Sequence, residues 1–176
     1  TPVHDAVIRV RFVSGKTPDT SYGWWNCRPA GPVSWTARAG KSLVELSTAR
    51  IRIQADRRSG AIRFFDENGR RLLSEQTSLP RQIETGKTIR TWEYFDWQKS
   101  EKLSAKGILA EDLESMDHKA RYISFGGIRL RMPLLISQYG YGIAIAAEET
   151  VMCCNIPMYG TYLYTEGPGQ IDYYFI

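Results

Sequence analysis

Histidine is scarce in this chain: His4 and His118 are the two among 176 residues. A Ser-His-Asp or Cys-His catalytic machine would have to use one of them. His4 lies in the first few residues, a poor place for a positioned base. His118 sits beside Asp117 in MDHK, a local pair and not a triad. Cysteine is also scarce. Cys27, Cys153 and Cys154 are odd in number and form no closed disulfide framework. A strand would point the adjacent Cys153 and Cys154 to opposite faces, so pairing them would need strained geometry. Buried free thiols are the expected state, with a lean towards a reducing, cytoplasmic compartment. The cysteines form no CxxC and neither histidine lies near one in sequence, so no zinc site is expected. GxGxxG and GxxxxGK[ST] are both missing, so no nucleotide cofactor is expected. No apolar run approaches the roughly 18 residues that span a bilayer, so no membrane segment is expected.

What is present is mostly strand-like. Hydrophobic residues make up 43% and charged residues 24%, ordinary values for a folded chain with a sizeable core. Aromatic residues at 12% favour β-rich packing or a carbohydrate-facing surface. Period-two alternation recurs: Ile8, Val10 and Phe12 with Arg9 and Arg11, Ile51 and Ile53 with Arg50, Arg52 and Gln54, and Ile128, Leu130 and Met132 with Arg129 and Arg131. That pattern predicts strands with one buried and one wet face. Turn signals separate them at Ser14-Gly15, Ser59-Gly60, Asn68-Gly69, Gly126-Gly127, Gly140 and Gly167-Pro168-Gly169. RSGAIRFFDENGRRLL reads as a hairpin turning at Glu67-Asn68-Gly69. Residues 17–32 read as a long loop or irregular strand. Residues 108–120, ILAEDLESMDHKA, fit either one short helix or an ordered loop. The expectation is a single all-β domain over residues 1–176, an antiparallel β-sandwich of two large sheets with at most one short helix.

Two surface features bear on partners. The alternating arginines, with Trp24, Trp25, Trp92 and Trp97, could make a nucleic-acid face. A solvated sheet face balanced by 19 acidic residues is the favoured reading at a net charge of +4, so no nucleic-acid partner is expected. Glu111, Asp112, Glu114 and Asp117 cluster in sequence, and either contact sugar hydroxyls, hold a metal or simply form a solvated acidic loop.

The order of motifs carries a resemblance. VIRVRF is followed by LVELSTARIRIQADRRSGAIRFFDENGRRLLSEQ, then MDHKA, then MPLLISQYGYGIAI, then GQIDYYFI. This series resembles the N-terminal, galactose-mutarotase-like β-sandwich domain of glycoside hydrolase family 31 enzymes, the α-glucosidases and α-xylosidases. The matching positions are 8–11, 48–53, 60–73, 133–142 and 171–175, covering nearly the whole chain. PLLISQYGYG and IDYYF are the more specific motifs, with Gly140 and Gly142 flanking Tyr141 at a tight turn. The family's "YGLGE" stretch is reduced here to Gly107, Leu109 and Glu111 in KGILAED. A "DxKG" stretch matches at Asp117 and Lys119, with Ala120 in place of its Gly.

The resemblance implies a retaining α-glycosidase acting on α-glucosides or α-xylosides, with two aspartates as nucleophile and acid/base. Both belong to a (β/α)8 barrel that would begin after Ile176. It implies no catalytic residue in this chain, which alone would hydrolyse nothing. The implied partners are the enzyme's own C-terminal barrel and an α-linked oligosaccharide, and the resemblance leaves room for a homo-oligomer of the full-length enzyme. The family's N-terminal domain lends a loop to the rim of the active site, which makes Asp117 the expected substrate contact. Two other readings stay open: a stand-alone carbohydrate-binding module using exposed Trp or Tyr, and an aldose-epimerase-like enzyme using two histidines and a carboxylate.

Overall fold

In the computed structural model, residues 1–13, 31–106, 114–124, 134–146, 150–167 and 170–176 are described. Strands β1 (Pro2–His4) and β2 (Val7–Val13) come first, followed by a five-strand meander. The meander runs through β3 (Thr36–Ala39), β4 (Leu43–Ser47), β5 (Ile51–Asp56), β6 (Ile62–Asp66) and β7 (Arg71–Ser74). Next are β8 (Arg81–Glu84), β9 (Arg90–Tyr94), β10 (Leu103–Lys106), β11 (Lys119–Ser124), β12 (Leu134–Ser137) and β13 (Tyr141–Ile145). The last are β14 (Val151–Ile156), β15 (Gly160–Glu166) and β16 (Gln170–Phe175).

The fold is all-β, and no helix occurs among the described residues. Its antiparallel strands form three sheets where two were expected: β1-β2-β16-β13-β12-β10, β11-β14-β15-β9-β8 and β3-β4-β5-β6-β7. The two five-stranded sheets meet at a single bridge, Glu75 opposite Phe95, flanked by Asp96 N–H to Ser74 O at 2.7 Å. One ladder has thus narrowed to a seam. All three sheets contribute to one apolar core that includes Ile53 and Phe64, Ile143 and Phe175, and Cys153 and Leu163. Phe64 and Phe175 stack at 4.2 Å between ring centroids, joining the meander to the six-stranded sheet.

The alternation in ARIRIQAD is realised as read: Ile51 and Ile53 are buried, while Arg52 and Gln54 lie on the outer face. AVIRVRFV departs from it. Arg9 is buried at 8% exposure, because Asp172 of β16 meets it with a two-point ion pair, Nε to Oδ1 at 2.8 Å and Nη2 to Oδ2 at 2.5 Å. The outer side of this sheet is not wet here; Val3, Ala144, Ala146 and Tyr174 form a second small core on it. The third alternating run, 128–132, lies outside the described residues.

The hairpin at Asn68-Gly69 is present. Asp66 Oδ1 accepts from Asn68 N–H at 3.0 Å and Arg70 N–H at 2.8 Å, and Gly69 takes the left-handed conformation, φ 80°. Gly140, φ 85°, makes the β12–β13 turn, where Gly140 N–H donates to Ser137 O at 3.1 Å. The apolar IDYYF run is β16, third of six strands in its sheet, paired with β2 on one side and β13 on the other. Aromatic residues are well placed on such a doubly flanked strand, and Tyr173, Tyr174 and Phe175 are each 1% exposed.

Candidate functional site

Residues 114–118 reach β11 through a bend and a turn, so the described part of the 108–120 segment is a loop that enters β11 at Lys119. Glu111 and Asp112, with Gly107 and Leu109, lie outside the described residues, as do Trp24, Trp25 and Cys27. Met116 anchors the loop: its side chain is fully buried, and its N–H donates to Leu103 O at 2.7 Å. Lys119 fastens the far side, Nζ donating to Ser115 O at 2.9 Å and its N–H to Met116 O at 3.1 Å. Between these anchors Asp117 and His118 project outward, with side chains 64% and 73% exposed. His118 has φ 52°, a left-handed turn position, and its Nδ1 lies 2.9 Å from Asp117 Oδ1. The result is a carboxylate presented on a firmly pegged turn at the edge of a sheet. His4 lies on β1, at the edge of a different sheet, so the two histidines do not make a common site.

The structure shows a polar cluster that the sequence reading missed. Glu75 and Glu93, 0% and 2% exposed, share the guanidinium of Arg81. Arg81 Nη2 pairs closely with Glu75 Oε2, and its Nε lies 3.1 Å from Glu93 Oε2. Glu75 also accepts from Tyr173 Oη at 2.7 Å and from Ile62 N–H at 2.7 Å. Burial, reinforced by the nearby Glu75 charge, holds the Glu93 carboxyl well above the usual carboxylate range. Burial pushes the Tyr173 phenol up as well. Glu93 could have been suspected from phase, since it lies in phase with the buried Thr91 and Phe95 and so points inward. Its partners could not, because Arg81 and Tyr173 are fixed only by the fold. This cluster is sealed in the core; the adjoining cavity, about 30 Å³, is too small to admit a sugar.

A second missed cluster lies under the PLLISQYGYG motif. Glu101 Oε1 accepts from Ser137 Oγ at 2.5 Å and from Tyr141 Oη, while Oε2 accepts from Gln98 N–H at 2.8 Å. Burial, and then the Glu101 carboxylate, pushes the Tyr141 phenol far up. The cluster pins the β12–β13 turn to the segment before β10. Cys153 and Cys154 are both buried and free, and the Cys153 thiol is pushed up to about 12 by burial, so Cys153 is not a ready nucleophile.

A concavity of about 570 Å³ lies where the meander hairpin, the β12–β13 turn and the end of β16 converge. Leu72, Leu134 and Ile136 are among its apolar lining residues. Its rim charges are largely spent on local partners: Arg50 with Glu67 at 3.6 Å, and Arg70 Nη2 donating to Tyr139 O at 3.2 Å. The motifs at 60–73, 133–142 and 171–175, far apart in sequence, meet around this groove.

No protein-family model and no curated protein matches the sequence. Solved structures do match. A GH31 α-xylosidase from a soil metagenome, complexed with xylose, superposes over 99% of this chain with a TM-score of 0.77 at 16% identity. A cycloalternan-forming enzyme from Listeria monocytogenes, in complex with a pentasaccharide substrate, covers 98% at TM-score 0.74 and 16% identity. A xylosidase from Aspergillus niger covers 100% at TM-score 0.70 and 14% identity. This chain spans only 29%, 17% and 28% of those three chains. Its fold is therefore the β-sandwich that forms a minor part of family 31 glycoside hydrolase structures.

Proposed function

We propose that this chain is the N-terminal, non-catalytic β-sandwich domain of a retaining family 31 α-glycosidase acting on α-glucosides or α-xylosides. In this reading the domain packs on a (β/α)8 barrel that follows Ile176, and the barrel carries the two catalytic aspartates. The observation that carries the reading is the coverage asymmetry. The superposition takes in 99% of this chain but 29% of the soil-metagenome xylosidase. The state of the carboxylates supports it: a retaining pair must flank an accessible sugar about 5 Å apart. Glu75 and Glu93 are instead buried and bound to Arg81.

Asp117 is the residue proposed to touch substrate at an outer subsite. A pegged, exposed turn can hold a carboxylate at the rim of a neighbouring barrel without distorting the sandwich. Asp117 Oδ1 is engaged by His118, which leaves Oδ2 to accept from a sugar hydroxyl. The test is to read the coding sequence past Ile176. A barrel of a few hundred residues with aspartates at its strand ends is expected, and a stop codon at that point would overturn the reading.

A further inference from the structure

The outward face of the β11-β14-β15-β9-β8 sheet is unlike the outward face of the meander. On the meander, the outer cross-strand row is Arg38, Glu45, Gln54, Arg63, a conventional charged solvent face. On the other sheet, the register places Tyr122, Met152, Tyr164, Trp92 and Gln82 in one row that crosses all five strands. Beside it runs a second row, Ala120, Cys154, Tyr162, Tyr94. Neither row contains a charge. Among the described residues, charges flank these rows at Glu166, Arg90 and Glu84, where Arg90 Nε and Glu166 Oε1 pair at 3.6 Å.

The ring arrangement fits a polar-tipped aromatic platform. Trp92 and Tyr164 are 5.1 Å apart at 50°, and Tyr94 and Tyr162 are 5.5 Å apart at 63°. Tilted neighbours hold one another upright and fix the rings without extra ordering cost on binding. Tyr94 Oη donates to Gln82 Oε1 at 3.3 Å, and Tyr164 Oη donates to Glu166 Oε1. The hydroxyl tips are thereby oriented along the face. Tyr122 is 51% exposed at the β11 edge.

We propose that this face binds an uncharged, hydroxyl-rich saccharide chain. Ring faces carry negative quadrupole charge and attract the weakly positive C–H faces of a sugar, while Gln82, Glu166 and the tyrosine hydroxyls serve its OH groups. Charge selects among partners. A polyanion needs Lys or Arg between the rings to neutralise its phosphates, and the two aromatic rows have none. Five strands span about 19 Å at their normal spacing, enough for several sugar rings in line. The face is also continuous with the candidate site: Ala120 and Tyr122 of β11 belong to it, and the Asp117–His118 turn leads directly into β11. The site requires no barrel, so it goes beyond the proposed function and stands or falls separately.

The test is calorimetric titration of this 176-residue chain with maltohexaose and, separately, xylohexaose. Binding is expected for at least one, weakened about tenfold or more in both Trp92→Ala and Tyr122→Ala. Arg38→Ala, on the charged meander face, should leave it unchanged. Tyr122 is exposed, so its variant stays informative if Trp92→Ala fails to fold. No binding of either sugar overturns the proposal, and so does binding that Tyr122→Ala leaves intact. Tight binding of a single-stranded oligonucleotide in place of sugar would also overturn it, pointing to a nucleic-acid face.

Discussion

Tyr173 on β16 donates its phenolic hydrogen to Glu75 at 2.7 Å, joining positions 98 residues apart. Glu75 sits at the seam where the two five-stranded sheets meet, opposite Phe95. The hydrogen bond therefore ties the central strand of one sheet to the junction of the other two. Tyr173→Phe keeps the ring and its edge-to-face contact with Phe95 at 5.9 Å, but removes the donor. Glu75 Oε1 is then left buried without that partner, at a cost of about 1–3 kcal/mol. Urea denaturation should show a lower midpoint with an unchanged slope.

Glu93 should make stability depend on pH. Its carboxyl is raised in the folded chain from an ordinary value of 4.5, first by burial and then by Glu75. The folded state thus holds a proton that the unfolded state has released. The stabilisation is fully present below 4.5 and is lost as pH rises from there towards the folded value. Asp172, raised by burial, adds a contribution of the same sign. Glu93→Gln stays neutral at every pH. The stability of the native chain relative to this variant should fall as pH rises above 4.5, read from denaturation midpoints at a series of pH values. A difference that stays constant, or grows, would count against the assignment.

Gly140 and Gly142 should fail in different ways. At Gly140 the backbone has φ 85°, while the space around an added Cβ is empty. Gly140→Ala should cost about 1 kcal/mol from the backbone alone, and Gly140→Asn less, because Asn tolerates that region better. At Gly142 an added Cβ would meet Leu135 O at 3.2 Å and Leu134 Cδ1 at 3.3 Å. Gly142 also exchanges two backbone hydrogen bonds with Ile176, at 2.9 and 3.0 Å. Gly142→Ala should cost about 1–3 kcal/mol through strand displacement, and Asn should not rescue it. Thermal melts of the four variants, Ala and Asn at each glycine, separate the two mechanisms.

Asp117→Ala should leave the melting temperature of this chain within about 1 °C of the native value, because the side chain is exposed and its partner is a neighbouring exposed His118. In the full-length enzyme that we propose, the same substitution should raise KM for an oligosaccharide by about tenfold, the loss of one charge-assisted hydrogen bond. A drop in kcat with unchanged KM would place Asp117 in a different role.

Local patterns were legible where a residue's environment is set by its neighbours in sequence. Ile51 and Ile53 turn inward by simple alternation, and Asp66 with Gly69 encodes its own hairpin. Arg9 was misread as wet because its burial depends on Asp172, 163 positions away. Glu93 was overlooked although strand phase points it inward, because its partner Arg81 is brought to it only by the fold. The division of the strands into three sheets, two of which meet at the Glu75–Phe95 bridge, is announced by no periodicity. The uncharged aromatic face was equally hidden. Tyr122, Met152, Tyr164 and Trp92 are scattered in sequence and become a row only through strand register. Asp117 was chosen by motif, and the fold adds that Met116 and Lys119 peg its turn.

The most direct measurement of the central claim is hydrolysis of p-nitrophenyl α-xyloside and α-glucoside by the product of the intact reading frame, beside residues 1–176 alone. The account predicts turnover of at least one substrate by the full product, with retention of anomeric configuration, and none by the 176-residue chain. Turnover by residues 1–176 alone, or a folded full product inactive on both substrates, would contradict it.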